Sequence, residues 1–277
     1  CFHGRGSAPA RLPAGWDTMS DNQATNRTWV FFAILGGQIA SMIGTQLTGF
    51  GLGITILEMN DSVTDFSIFS FAIIMPGLAL SPLAGTLVDR RDRRLALIFS
   101  HAGSGLCSLS LAILYWTGNF HYWAFVGIVA LSSAFSSLQF PAFSSSITVL
   151  VDKKNLSRAS GLTQFGYGFA QLVGPALGGT LLGSIELSGI LVVDFCTFTL
   201  AIVMLLFVQI PKPKTTGAGR QAKGSFKQEM GYAWKYIRTR TGLLGNLILA
   251  GGMNLNMGMT LVLIAPLIMS IGDASDL

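Results

Sequence analysis

Long apolar stretches, each bounded by polar or charged residues, constrain this chain more than any other feature. Seven of them run roughly Trp29–Leu57, Phe66–Val88, Leu95–Trp116, Tyr122–Leu150, Ala159–Gly183, Ser188–Ile210 and Leu243–Ile271. A hydrocarbon layer ~30 Å thick is crossed by about 20 helical residues. In lipid every backbone polar group must find a partner within the protein, which leaves helices or closed barrels. A barrel would show short alternating segments, and these stretches are long and continuous. The sequence therefore predicts an all-α membrane protein with seven transmembrane helices. Only 11% of the 277 residues are charged and 51% are hydrophobic, with a mean hydropathy of +0.57. A soluble domain carries about 25% charged residues, so these could not cover a surface in water.

The net charge of +5 and the pI near 9.3 do not indicate nucleic-acid binding, because the basic residues sit in short blocks between spans. All 18 Lys and Arg fall on one side of the alternating topology. They occupy the N-terminal tail, the connection Arg90–Arg94, the connection Lys153–Arg158 and the long connector 211–241. Glu58, Asp61, Asp65, Glu186, Asp273 and Asp276 occupy the other side, with no Lys or Arg. Cationic loops are retained inside, so a multi-pass protein of the plasma (inner) membrane with a cytoplasmic N-terminus is expected. A seven-helix receptor would place that terminus outside.

Residues 1–28 read as a disordered cytoplasmic tail in which Met19 is a candidate start. Residues 29–210 read as a six-helix bundle. Residues 211–241 form a basic linker, in which Phe226, Met230, Trp234 and Ile237 recur at helical spacing, as an amphipathic interfacial helix would. Residues 242–277 read as the first helix of a second half, so the chain is expected to be the N-terminal portion of a two-half protein. Cys107 and Cys196 lie inside apolar spans, where a disulfide framework is not expected.

After the second span the chain reads Gly85-Thr86-Leu87-Val88-Asp89-Arg90-Arg91-Asp92-Arg93-Arg94. In spacing, location and membrane side this resembles the signature of the major facilitator superfamily. The resemblance implies a latch between two six-helix halves, with Gly85 permitting close helix contact and Asp89 facing a helix N-terminus. Arg90, Arg93 and Arg94 would supply its cationic part. On the fifth span, Gly161, Gly174, Pro175, Gly178 and Gly179 fall in register with an element of the superfamily's antiporters, Ala170 standing where a further glycine would be. Gly37-Gln38 with Ser41 and Gly44, the segment Gln139-Phe140-Pro141-Ala142, and the run Asp152–Ala159 resemble the drug–proton antiporter branch that includes macrolide- and siderophore-efflux proteins. The resemblance covers nearly the whole chain from Trp29. The fourth span departs from it: Tyr122 to Val151 holds no Arg or Lys, where many proton-coupled exporters carry a basic residue.

Ionisable groups within spans are costly and often functional. Asp194 lies toward the outer leaflet in the sixth span and is the candidate for proton coupling, with a structural hydrogen bond as the alternative. His101, nearer the basic loop on the third, reads as interfacial. In the fold the resemblance implies, the first, fourth and seventh helices line a central pathway. Gln38, Gln46, Gln139 and Asn254 are then cavity candidates, with Gln164 and Gln171 on one face of the fifth span; plain interhelical hydrogen bonding is the alternative for each. No nucleotide-cradling loop and no metal-spaced Cys/His cluster occurs, so neither an enzyme nor a cofactor is expected. The implied function is a secondary exporter of small lipophilic compounds by proton antiport and alternating access. A siderophore or other metabolite exporter of the same fold, or a non-transporting sensor, are the alternatives. Its partners would be a small-molecule substrate, protons, the lipid bilayer and the missing C-terminal half.

Overall fold

The computed structural model describes residues 16–60, 62–90, 92–119, 121–208, 231 and 234–275, and among them there are helices and turns but no strand. Helix α1 covers Trp16–Asn60, α2 Val63–Arg90 and α3 Arg93–Trp116. The fourth span is broken into α4, Tyr122–Ser136, and α5, Gln139–Leu150. After a short 3-10 turn at Lys153–Asn155 come α6, Leu156–Phe207, and α7, Thr241–Ser275.

Two boundaries differ from the sequence expectation. Helix α1 starts at Trp16, inside the stretch read as a tail; residues 16–35 contain neither Gly nor Pro, so nothing interrupts the helix upstream of the first span. The fourth span is interrupted by Pro141, which has no N–H to donate and whose ring crowds the carbonyl of residue 137. There the N–H of Leu138 donates one residue short, to the Phe135 carbonyl at 3.2 Å. Of the expected linker helix, Phe226 and Met230 lie outside the described residues. Residues 234–238 are helical, and the Arg240 guanidinium lies 4.2 Å from the ring centre of Tyr236.

Helix α6 holds both the fifth and sixth spans, reversing at Glu186, whose φ of 57° and ψ of 177° are not helical. Close approaches fix the direction of each arm. A side chain at Gly166, Gly174 or Gly178 would meet Ile39, Gln46 or Phe50 in turn, so the first arm runs parallel to α1. One at Gly37, Gly44 or Gly51 would meet Ala201, then Asp194 and Thr197, then Ile190 and Leu187, so the second arm runs antiparallel. Small residues every seventh position on α1, and every fourth on the first arm through buried Ala170, let these helices pack closely where no hydrophobic effect drives association.

The interior is layered. At the basic end, Phe31, Leu35, Val88, Leu97, Phe143 and Leu205 belong to one apolar cluster. At the acidic end, Leu52, Ile56, Phe69, Leu111, Phe125 and Leu191 belong to another. Between them lies a belt of buried polar side chains that includes Gln38, Ser41, Thr48, His101, Ser104, Ser108, Gln139 and Asp194. The outward faces of α2 and α6 carry exposed Phe71, Ile74, Leu78, Leu172 and Phe207, as surfaces meeting lipid do. Helix α7 lies beside α2, with Leu247, Ile248, Met253 and Leu255 exposed.

Candidate functional site

Two polar constellations occupy the belt, on different sides of α1. On one side, Gln38 Nε2 donates to Gln139 Oε1 at 3.1 Å. The contact joins α1 to the first turn of α5, where the Pro141 break begins. Gln38 Oε1 and Gln139 Nε2 are buried and have no partner. One acceptor and one donor are thus left open on neighbouring amides, a pattern that suits an uncharged group able both to give and to take a hydrogen bond.

On the other side, Asp194 of α6 meets α1 and α3. Its Oδ2 accepts from Thr48 Oγ1 at 3.0 Å and from Ser108 Oγ at 2.6 Å. Its Oδ1 is buried without a partner. Gly44 makes this approach possible: a Cβ there would lie 2.6 Å from Asp194 Oδ1 and collide with Thr197 Oγ1. The carboxyl side chain is 2% exposed, so its second oxygen is a buried acceptor held ready for a proton or a donor.

His101 corrects the sequence reading. It is 2% exposed, inside the bundle and not at its interface, because it shares a buried face of α3 with Leu97, Ser104, Gly105 and Ser108. Its ring centre lies 5.8 Å from that of Phe198, and its Nδ1 has no partner.

The remaining candidates scatter. Gln46 packs against Gly174 on the α1–α6 contact. Gln164 and Gln171 sit on the exposed face of the first arm of α6. Asn254 is exposed and donates to the Ala250 carbonyl of its own helix at 2.8 Å. None of these joins the Gln38–Gln139 pair. A groove of 410 Å³ between α2 and α4, lined by Leu80, Leu83, Leu87, Ala134 and Leu138 among others, is apolar and contains neither constellation.

Of the latch residues, the side chains of Asp89 and Arg90 lie outside the described residues. Gly85 has no neighbouring atom within 4 Å of where a Cβ would stand. Both remaining arginines are engaged within the described bundle. Arg93 Nη1 donates to the Ser145 carbonyl at 2.6 Å. Arg94 donates from Nε to Leu205 at 2.8 Å and from Nη2 to Leu206 at 2.7 Å. The Leu205 and Leu206 carbonyls lie in the last turn of α6, where helices leave acceptors unpaired and where positive charge is favoured, while Ser145 lies further inside α5. Of the helix-five element, Gly174 and Gly178 pack against α1, while Gly161 faces open space and Gly179 only grazes Phe50. Gly166, which the sequence reading did not single out, belongs to that packed face; its spacing of four from Ala170 was the available signal.

The described geometry is that of a bundle of long apolar helices, and it can be set beside known proteins. The chain is 25% identical over 216 residues to the uncharacterized MFS-type transporter YfiS of Bacillus subtilis, covering 76% of this chain and 51% of the relative. It is 24% identical over 238 residues to macrolide efflux protein A of Streptococcus pyogenes, covering 86% and 58%. The macrolide efflux protein A of Enterococcus faecalis matches at 25% over 194 residues, covering 70% and 59%. The chain thus spans about half the length of the curated relatives it matches. The model of the Major Facilitator Superfamily matches residues 34–274, and with the match covering most of the helical bundle, the chain belongs to that superfamily of multi-pass membrane transporters.

Proposed function

We propose that this chain is the N-terminal part of a secondary exporter of small lipophilic compounds, driven by proton antiport. Two six-helix halves would rock about a midplane site, with the N-terminus in the cytoplasm and the protein in the plasma membrane. Asp89 and Arg90 would latch the halves. The observation that carries the reading is Asp194, a carboxyl group sealed inside the bundle with one oxygen unpartnered. Such a group is expensive in lipid and marks a functional site, proton relays among them. Two relatives bear the name macrolide efflux protein, which supports a lipophilic, macrolide-like substrate. The open donor and acceptor on Gln38 and Gln139 suit such a substrate, and on this reading they form its contact in the first half.

The test is efflux of a macrolide and of a panel of other lipophilic drugs from cells with and without the full-length gene. Export should stop when the proton gradient is collapsed. Asp194→Asn, nearly isosteric and unable to ionise, should cut gradient-driven export at least tenfold while leaving drug binding in place. Export that persists in Asp194→Asn at the wild-type rate would remove Asp194 from the mechanism. Binding without export in the wild type would favour a sensor on the transporter fold.

A further inference from the structure

Asp194 is not the only buried titratable group whose hydrogen bonding is incomplete. His101 Nδ1 and Asp194 Oδ1 both lack a partner, and both residues lie on the contact between α3 and the second arm of α6. Unpaired buried polar atoms are rare and costly, so two on one helix–helix contact call for an explanation. Ser108, the partner of Asp194, lies two turns of α3 beyond His101. At ~1.5 Å per residue this separates the two levels by about 10 Å. Phe198 fills the interval. It stands one turn of α6 from Asp194, its ring against the imidazole, and its Cβ lies 3.2 Å from where a Cβ of Gly105 would be. The absence of a side chain at Gly105 thus makes the recess that Phe198 occupies.

We propose that His101 is a second proton-binding residue, the station between Asp194 and the basic end of the bundle, and that Phe198 is the plug separating the two. This rests on proton uptake by Asp194. A proton held as O–H on Asp194 Oδ1 passes, through water admitted when the Phe198 ring turns aside, to the lone pair on His101 Nδ1. Asp194 is left as the carboxylate, and the imidazolium releases the proton toward the basic end when the apolar layer at Leu97 opens to water. The route runs along α3 and α6 and meets α1 at Thr48, ten residues along the helix from Gln38, so proton and substrate do not compete for one site. Few other groups disturb it. Thr48 and Gly44 face Asp194 from α1, and Phe135, Ser132 and Ser136 face α3 from α4, none of them ionisable. Cys107 is the other titratable side chain buried on α3.

The experiment follows the protonated-carboxyl infrared band of the full-length transporter in liposomes after a pH jump on its basic face. Loss of the band in Asp194→Asn identifies its source. His101→Gln should then slow its relaxation at least tenfold while leaving its final amplitude unchanged, and His101→Asn provides a second, smaller replacement should the first misfold. Phe198→Ala should speed the relaxation and let liposomes loaded with a pH-sensitive dye lose an imposed gradient several-fold faster, with no substrate present. A band that persists in Asp194→Asn overturns the carrier and the relay together. A band lost there but relaxing at wild-type rate in both His101 variants overturns only the relay, and an unaltered leak in Phe198→Ala overturns the plug.

Discussion

Gly44 leaves Asp194 no slack, and the glycines of α1 form a graded series that tests how closely this helix must approach α6. At Gly44 an added methyl meets the carboxylate, Thr197 Oγ1 and, at 3.1 Å, the Asp194 Cα. At Gly37 it meets the Ala201 backbone and the Met204 sulfur, each at 3.3 Å. At Gly51 it meets only the movable ends of Ile190 and Leu187, and at Gly36 nothing within 4 Å. The expected order of destabilisation on replacement by Ala is therefore Gly44, then Gly37, then Gly51, then Gly36. The first should cost about 1–3 kcal/mol by overpacking and the last nothing. Thermal unfolding of the four variants in detergent checks this, and equal melting temperatures would refute it. The sequence marked Gln38, Gln139 and Asp194 because polar side chains stand out against apolar surroundings. That Gln38 pairs with Gln139, while Gln164, Gln171 and Asn254 stay apart, was not legible there. Which face of a span points inward depends on how small residues dock it, and each span carries apolar residues on every side.

Among the elements, α6 shows most clearly what spacing can and cannot announce. Its four-residue run of small side chains, Gly166, Ala170, Gly174 and Gly178, is visible as pattern, yet only packing tells which glycines touch α1. The break between α4 and α5 is prefigured by Pro141, which the sequence reading used only as a family marker. At the basic end, Arg93 reaches the Ser145 carbonyl of α5 and Arg94 holds the last turn of α6, so α3 acts as a clasp on two other helices. Charge-assisted bonds of this kind contribute about 1.5–3 kcal/mol, and partial exposure of Arg94 lowers that. Replacing Arg94 by Gln should lower stability by about 1 kcal/mol. Replacing it by Lys should recover only part of that, because an ammonium cannot donate as a fork to two carbonyls. Chemical denaturation in detergent reads both. The reversal at Glu186 is a second element-scale test. A side chain at φ 57° carries strain of about 1–3 kcal/mol, so Glu186→Gly should raise stability and Glu186→Pro, locked near −65°, should lower it sharply.

For the molecule as a whole, the separation of charge predicts its orientation. Asn119 lies exposed after α3 at the acidic end, and Asn155 lies exposed before α6 at the basic end. With the native cysteines replaced, Cys at 119 should react with a membrane-impermeant maleimide in intact cells, and Cys at 155 only after permeabilisation. The reverse pattern would invert the topology and with it the direction of the proton route. The alternation of apolar and charged segments made the spans legible without coordinates, because lipid imposes the same rule on every span. The bend at Glu186 carries a consequence for biogenesis. With a single non-helical residue between its arms, α6 offers no tether on which one arm could wait in the membrane for the other. On the proposed topology the two are expected to leave the translocon as one hairpin with the Glu186 carboxylate at its tip, and α1, which docks on both arms, to be in place to receive them.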